Sequence, residues 1–454
     1  MASTNIQRVH TSAPTDNKKC TISVWIKRSG LNSGAAFGIY GGINAAWNAA
    51  GNVQIGFNDD QAYCWFKTAS GDRKKQDSAR VFRDTNAWYH FVYRIDTTQS
   101  TASDRIRVYC NNEEITSWNS TADPSLNEDI SFTTNGYTNY IGKFNWTNGT
   151  ANYFDGSLSH FHFCDGYSYG PDSFGEIDST TGEWKIKTSP SVSYGNNGYF
   201  IFKDGDSLTD QSGNGNNWST HNGTLTKTED NPSNIFATLN SLASLPNTGV
   251  STFTNGNTTS QGTNGSYVNG GSTLMMSSGK FYAEMKYVAT SNASRCWIGI
   301  TEDVAHISLI NQDVGEYNVV YRSQTGGLNI EGGGESTYGG TWTTGDIMGI
   351  ALDLDNNRLF FSKNGTWQDS GDPTSSTGAI TTFTAPASTF RGGWFFASGS
   401  DSNAQNNTVS WNFGNGFFGT TAVSSAQNPD DGLGIFEYDV PAGYKALSTK
   451  GLNS

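Results

Sequence analysis

Apolar and polar side chains alternate between Trp342 and Trp367, and this alternation predicts two β-strands joined by a turn. Turn-forming residues occupy Asp355-Asn356-Asn357, and a second predicted strand runs from Arg358 to Ser362. The pair Asn364-Gly365 then favours a hairpin turn, because both residues tolerate positive φ. The apolar positions on one face of the first predicted strand are Met348, Ile350, Leu352 and Leu354. The pattern therefore predicts an antiparallel sheet with one buried face.

The first half of the chain shows the same alternation in shorter runs. The predicted strands there lie within residues 20–28, 53–57, 62–66, 87–93, 105–110 and 154–163. No helical period is sustained over twelve residues, and 53 of the 454 residues are glycine, which suits an all-β protein with many turns. We therefore predict two antiparallel jelly-roll β-sandwiches, at residues 1–165 and 279–454, joined by a mostly irregular connector at residues 166–278.

Two sets of motifs resemble known domain families. In the second half, GKFYAE, WIGI and the hairpin GDIMGIALDLD…LFFSKNG resemble SPRY domains. In the first half, TISVWIK, WYHFVYRID, IRVYCNNEEI, YIG and FDGSLSHFHF follow one another in the order of laminin-G-like, concanavalin A-like jelly rolls. The resemblance implies two β-sandwiches of a kind that often serves in binding.

The order of motifs along the whole chain resembles concanavalin A-like virion structural proteins of marine phages, including cyanophages, and of large DNA viruses. The match includes FGE…TGEW after the first jelly roll, FATLN before the second, and PAGYKAL at residues 441–447. One departure is the segment from Gly419 to Phe436, which is longer than this resemblance leads us to expect. The resemblance implies a protein exposed on a viral particle.

Charge and cysteine content narrow the classes of function. The chain has 28 Lys and Arg against 41 Asp and Glu, a net charge of −13, which argues against binding to a nucleic-acid backbone. The one basic cluster, Arg73-Lys74-Lys75, is expected in a solvated loop. The five cysteines lack CxxC spacing and are predicted to be buried free thiols. We see no signal peptide and no run long enough to insert into a membrane.

Two pairs of titratable residues could carry chemistry, and each has a structural alternative. Glu176 and Asp178 have the spacing of neighbouring carboxylates on a strand, as a retaining glycosidase requires. A third acid is missing, because positions 180 and 181 are Thr, and we predict no catalytic residue. His160 and His162 are predicted to point to one face, where they could bind a metal. We favour two polar residues on the outward face of a half-buried strand, and predict neither a metal site nor a cofactor.

Four aromatic residues lie in Gly-, Asn- and Thr-rich stretches that are predicted to be loops. They are Trp47, Trp146, Tyr169 and Trp218. Exposed aromatic rings with neighbouring amides and carboxylates suit sugar rings, so these residues are candidates for binding a glycan or a partner protein. The alternative, favoured for any single one of them, is that the ring plugs the end of a sandwich or a subunit contact.

The resulting expectation is a non-catalytic phage virion protein, serving as a tail-fibre, receptor-binding or capsid-decoration component. Its expected partners are other virion proteins, further copies of the same chain and a host-surface glycan, and its expected location is the virion, after assembly in the host cytoplasm. The main alternative is a polysaccharide-degrading enzyme on a concanavalin A-like fold. A host-side lectin or adhesion module is a third possibility.

Overall fold

The computed structural model describes residues 3–31, 36–43, 49–145, 151–179, 182–203, 205–242, 251–262, 269–289, 296–303, 317–400 and 407–453. The chain forms two compact units, Met1–Lys227 and Thr228–Ser454. Both consist almost entirely of antiparallel strands, so the predicted all-β fold with two sandwiches is confirmed. Among the described residues, no helix is long and apolar enough to cross a membrane.

The first unit contains an eight-stranded and a six-stranded sheet. Its strands are β1 Asn5–Val9, β2 Lys19–Arg28, β3 Ala36–Ile43, β4 Val53–Asn58, β5 Gln61–Thr68, β6 Gly71–Ser78, β7 Trp88–Asp96, β8 Ile106–Cys110, β9 Glu113–Glu114, β10 Trp118–Ala122, β11 Thr138–Ile141, β12 Lys143–Asn145, β13 Ala151–Tyr153, β14 Gly156–Asp165, β15 Gly175–Ile177, β16 Trp184–Ile186, β17 Tyr199–Ile201 and β18 Ser219–Asn222. The larger sheet has the order β10-β6-β5-β4-β3-β11-β1-β18, and the smaller one β17-β14-β2-β7-β8-β9. The hairpins β12–β13 and β15–β16 are separate two-stranded sheets.

Alternation along β2 divides its side chains between two environments. Ile22, Val24 and Ile26 point into the core of the sandwich, whereas Ser23 and Trp25 lie on the opposite, outer face of the smaller sheet. Ser23 and Trp25 are nevertheless buried. The outer face is covered by chain from the predicted connector, which packs across it between residues 167 and 194.

The second unit also contains an eight-stranded and a six-stranded sheet. Its strands are β19 Thr252–Thr254, β20 Thr259–Gln261, β21 Asn269–Gly271, β22 Lys280–Ala289, β23 Cys296–Thr301, β24 Asn318–Arg322, β25 Gly327–Ile330, β26 Ser336–Thr337, β27 Ile347–Asp353, β28 Arg358–Lys363, β29 Thr366–Trp367, β30 Phe395–Ser400, β31 Thr408–Asn412, β32 Phe417–Phe418, β33 Thr421–Ala422 and β34 Lys445–Ala446. One sheet has the order β19-β20-β31-β22-β27-β28-β29, with β34 added beside β22, and the other β21-β30-β23-β24-β25-β26. The only α-helix of the described residues, α1, spans Thr449–Asn453.

The hairpin predicted between Trp342 and Trp367 is present as β27 and β28. Leu352 lies opposite Leu359, and Ile350 lies opposite Phe361, so the predicted apolar face is the buried face. Asn364 and Gly365 have φ angles of 48° and 78°, the left-handed values that the Asn-Gly pair predicts.

The predicted connector is divided between the two units. Residues 166–227 belong to the first unit and supply β17 and β18, each at the edge of a sheet. Residues 252–271 belong to the second unit and hold β19, β20 and β21, although this region was expected to be irregular. The predicted long insertion from Gly419 to Phe436 includes β33 and ends on the outer face of β22, where Phe436 packs on Tyr282.

Candidate functional site

A group of half-buried tyrosines lies on the outer face of the smaller sheet in the first unit. Its members are Tyr109, Tyr167, Tyr169 and Tyr194, and we call them the tyrosine platform. They pack around a small buried cluster of Val92, Cys164 and Phe174. The platform therefore presents partly exposed aromatic rings above an apolar base, and it includes Tyr169, one of the predicted binding residues.

Tyr169 is held in place by hydrogen bonds at both ends. Its backbone N–H donates to the hydroxyl of Thr21 at 2.9 Å, and its own hydroxyl accepts the N–H of Ser193 at 2.9 Å. The ring of Tyr167 stacks on that of Tyr169, with centroids 5.9 Å apart and planes 16° apart. The two rings are thus fixed by the fold and need no ordering when a ligand binds.

Polar groups surround the platform. Arg94 donates from Nε to the hydroxyl of Ser168 at 2.6 Å, and Ser168 lies between the two stacked tyrosines in the chain. Among the described residues the hydroxyl of Tyr167 forms no hydrogen bond, so it is available to solvent or to a ligand. Aromatic faces beside hydroxyl and guanidinium donors are suited to the C–H patches and hydroxyls of a sugar.

The other three predicted binding residues have different outcomes. Trp218 is only 6% exposed and packs edge-on against Tyr199 in the core, with ring centroids 4.9 Å apart. Its burial favours the alternative that the ring plugs the sandwich. Trp47 and Trp146 lie outside the described residues.

The histidine pair lies on the outer face of the smaller sheet, but the face is covered. A bulge between Ser159 and His162 inserts one extra residue, and His160 takes a φ of 47°. His162 is buried, its ring stacks on Phe200 at 3.9 Å, and burial holds its pKa well below the usual value. Among the described residues, no group of three His, Cys, Asp or Glu side chains could hold a metal.

His90, which the sequence did not single out, is the third histidine on this face. It is sandwiched between Trp25 at 4.8 Å and Trp184 at 5.9 Å. The indole N–H of Trp184 can only donate, so Nδ1 of His90 accepts it at 2.9 Å and Nε2 carries the proton that goes to Ser23 at 2.8 Å. Burial lowers the pKa of His90 to about 3, so the ring is neutral.

The carboxylates Glu176 and Asp178 lie on an exposed hairpin. Glu176 is in β15, beside β16, and Lys185 of β16 approaches both acids, at 3.6 Å and 3.0 Å. Both carboxylates thus share one lysine on an open hairpin, whereas a general acid needs a sheltered site.

The basic cluster differs from the expected solvated loop. Its residues lie in strand β6, where Arg73 forms a two-pronged ion pair with Glu128 at 2.8 Å and Lys75 pairs with Asp123 at 2.8 Å. These cations are already neutralised by carboxylates of the same chain. All five cysteines are buried and unpaired, as predicted.

Among the described residues of the second unit, Phe390 is the most exposed aromatic residue, at 75%. Its backbone N–H donates to Glu302 at 2.6 Å. The neighbouring Arg391 donates from Nε and Nη2 to Oδ1 of the buried Asp303, at 3.1 and 3.0 Å, and its guanidinium lies over the Phe390 ring at 5.6 Å. These contacts fix the backbone around Phe390 and Arg391 while the Phe390 ring stays exposed to solvent. A fixed, exposed aromatic ring is suited to anchoring a protein–protein interface.

Two family models match the chain. The model of the concanavalin A-like lectin/glucanases superfamily, laminin-G-like in type, matches residues 3–167. The model of the SPRY domain matches residues 280–415. No curated protein matches the chain.

Several solved structures are similar to parts of the chain. The SPRY domain of human HERC1 and another human SPRY domain are each 18% identical, with TM-scores of 0.26; both matches span 34% of this chain, and 87% and 90% of the respective structures. A native heptameric SAP-like pentraxin from Limulus polyphemus is 16% identical over 45% of this chain and 87% of its own, with a TM-score of 0.30. The assignment of the two domains rests on the family models. The chain thus joins a domain of the concanavalin A-like lectin/glucanases superfamily to a SPRY domain.

Proposed function

We propose that this chain is a non-catalytic structural protein of a virion, exposed on the particle as a tail-fibre, receptor-binding or capsid-decoration component. Its two domains belong to families that suggest a carbohydrate- or protein-binding role. The motif order, which resembles that of phage and large-virus particle proteins, supports the viral setting. On this proposal its partners are other virion proteins, further copies of the chain and a host-surface glycan.

The tyrosine platform is the observation that carries the binding function. Stacked Tyr167 and Tyr169 offer a fixed aromatic surface, and Arg94 and Ser168 place polar groups next to it. Sugars bind such surfaces because their C–H faces pack on rings while their hydroxyls pair with the polar rim. The first unit is accordingly the glycan-binding part of the protein.

Binding of defined oligosaccharides by single variants tests the glycan proposal. Wild type is screened on an array of bacterial surface oligosaccharides, and a positive glycan is titrated calorimetrically against Tyr167→Ala and Tyr169→Ala. Loss of a stacking contact of about 1 kcal/mol corresponds to roughly fivefold weaker binding. Tyr169→Phe keeps the ring and should retain most of the affinity.

A half-buried tyrosine in a separate hairpin provides the control. Tyr153 lies in β13, whose hairpin packs on strand β3 of the larger sheet, so Tyr153→Ala should bind as wild type does. Binding that survives in both platform variants, or that Tyr153→Ala removes equally, would exclude the platform as the glycan site.

The exposure of Phe390 supports a second function, contact between the second unit and a partner protein. A solvent-exposed aromatic ring beside an arginine has the composition of an interface hot spot. Particles assembled with Phe390→Ser should contain less of this protein, as measured by quantitative mass spectrometry of purified virions. Ile177→Ser, which alters another exposed apolar residue, should be incorporated normally.

Electron microscopy of intact particles labelled with an antibody against this chain tests the viral setting itself. Label at the capsid surface or on the tail fibres is expected. A chain absent from purified particles would overturn the virion proposal and leave the glycan and partner tests standing.

A further inference from the structure

A buried carboxylate lies on the outer face of the eight-stranded sheet in the second unit. Alternation along β22 places Phe281, Ala283 and Met285 in the core and directs Tyr282 and Glu284 to the opposite face. Glu284 is fully buried there. No ion pair joins it to a lysine or arginine of the described residues, so its charge is balanced by hydrogen bonds alone.

Four donors converge on the two carboxylate oxygens of Glu284. Oε1 accepts the backbone N–H of Tyr438 at 2.9 Å and the hydroxyl of Tyr282 at 3.1 Å. Oε2 accepts the backbone N–H of Glu437 at 2.8 Å and the side-chain amide of Asn412 at 3.3 Å. Two of the four donors thus come from one short piece of the C-terminal chain.

That piece, residues 437–440, crosses this face without regular secondary structure and is partly exposed, and we call it the flap. It runs between two firmly packed residues, Phe436 and Tyr444, both buried against the aromatic cluster around Tyr282. Within the flap itself Tyr438 is half-buried and Asp439 is exposed. Glu284 is therefore shielded from water by a segment that can open locally while its two ends stay in place.

We infer that the flap is a pH-sensitive device: it closes when Glu284 takes up a proton and opens when Glu284 is ionised. The closed arrangement accommodates the neutral acid. A proton on Oε1 can be donated to the hydroxyl of Tyr282, because a phenol both donates and accepts, and the flap N–H groups keep their acceptors. Only the Tyr282 hydroxyl has to turn.

Titratable groups from several elements lie around Glu284, and its four hydrogen bonds oppose the effect of burial on its pKa. On its own strand it has Tyr282 and, two residues further on, Lys286, whose ammonium group lies over the Phe418 ring at 5.9 Å. The flap contributes Glu437, Tyr438 and Asp439. Burial, and after it nearby carboxylates that include Asp346, raise the pKa of Tyr438. From β31 comes only the neutral Asn412. Burial is the largest cause that raises the pKa of Glu284 to about 7.

The direction of the pH effect follows from the two states of the flap. In the open state Glu284 is solvated and its pKa returns to the ordinary value of about 4.5, whereas in the closed state the pKa is about 7. Closing therefore takes up a proton between these values, and acid favours the closed flap. From pH 6 to pH 8 the opening equilibrium should rise about tenfold.

Hydrogen exchange of the full chain tests this directly. The amides of Glu437 and Tyr438 are followed at pH 6, 7 and 8, with rates corrected for the intrinsic pH dependence of exchange. In wild type their opening should increase about tenfold over this range. In Glu284→Gln, which cannot ionise, the opening should not change with pH.

Asp439→Asn is the matched control, because it removes a negative charge from the flap and leaves Glu284 intact; it should keep the wild-type pH dependence. Opening in wild type that is flat, or that increases on acidification, would overturn the inference, and so would a pH dependence that persists in Glu284→Gln. If that variant does not fold, the carboxyl ¹³C resonance of Glu284 in wild type decides. A midpoint near neutrality supports the flap, and one at the ordinary glutamate value refutes it.

Discussion

Burial in the fold sets the protonation state of individual side chains in this protein. His90 is the clearest case in the first unit, because the indole N–H of Trp184 fixes its tautomer and two aromatic rings enclose it. A neutral imidazole can accept that N–H, whereas an imidazolium cannot. Protonation of His90 therefore has to disrupt the cover over the smaller sheet, and the fold of the first unit depends on keeping this ring neutral.

Acid should destabilise the first unit in a way that depends on His90. Its pKa is about 3 in the fold and about 6.5 in the unfolded chain, so its stabilising effect is complete above pH 6.5 and is lost as pH falls towards 3. Between pH 7 and pH 5 the loss amounts to about 2 kcal/mol. Urea unfolding at pH 7 and pH 5 measures this loss. The free energy of unfolding should fall more between the two pH values in wild type than in His90→Gln. His221→Gln changes an exposed histidine and should keep most of the wild-type pH dependence.

The core of the second unit allows a direct test of the strand register. Leu352 and Phe361 are fully buried on the inner face of the β27–β28 hairpin. Leu352→Ala or Phe361→Ala removes packed atoms and leaves a cavity, so each should lower the free energy of unfolding by about 2–5 kcal/mol. Leu242 is 63% exposed, and Leu242→Ala should change it by less than about 0.5 kcal/mol. A core variant that unfolds like the Leu242 control would mean that the register is wrong.

At the scale of elements, the sequence predicts what is periodic. The β27–β28 hairpin could be located because its apolar side chains alternate and its turn has an Asn-Gly pair. The cover over the smaller sheet could not, since Phe174, Trp184 and Tyr194 come from a stretch without a period. A bulge such as the one before His162 adds a single residue to one strand. The alternation of apolar and polar residues does not predict where such a residue is inserted.

The candidate site was predictable in part for the same reason. The composition around Tyr169 marks it as a loop aromatic, whereas the pattern predicts Tyr109 within a strand and does not mark Tyr167 or Tyr194. The Tyr-Ser-Tyr spacing of Tyr167 and Tyr169 was the available signal. Trp218 has the same kind of sequence neighbourhood and is buried, so loop composition alone cannot tell an exposed ring from a packed one.

The β15–β16 hairpin should serve as a cover and not as a catalytic element. Glu176 and Asp178 both lie near the exposed Lys185, whereas Trp184 packs inward on His90. The double variant Glu176→Gln, Asp178→Asn should therefore leave glycan binding and assembly into particles unchanged. Catalysis is tested separately, by sizing host surface polysaccharide after incubation with wild type and with the double variant. Depolymerisation by wild type that disappears in the double variant would establish the enzyme alternative.

At the scale of the whole molecule, each of the two units has its own hydrophobic core. The main apolar cluster of the first unit draws on residues from Ile6 to Trp218, and that of the second on residues from Ala237 to Leu447. Each half thus buries enough apolar surface to fold as a domain of ordinary size. The division at Lys227 falls well beyond the end of the jelly roll that the sequence predicts.

This division can be tested with fragments. Residues 1–227 and 228–454 should each be soluble and should melt cooperatively with a β-sheet circular dichroism spectrum, because each contains a complete core. Residues 1–165, the predicted first sandwich, should aggregate or melt at a much lower temperature. This fragment lacks β17 and β18 and uncovers the outer face of the smaller sheet, where Trp25 and His90 are now buried. If residues 1–165 melt at the same temperature as residues 1–227, the chain after the jelly roll contributes nothing to the first unit. A fragment 1–227 that fails to fold while 1–454 folds would instead show that the units depend on each other.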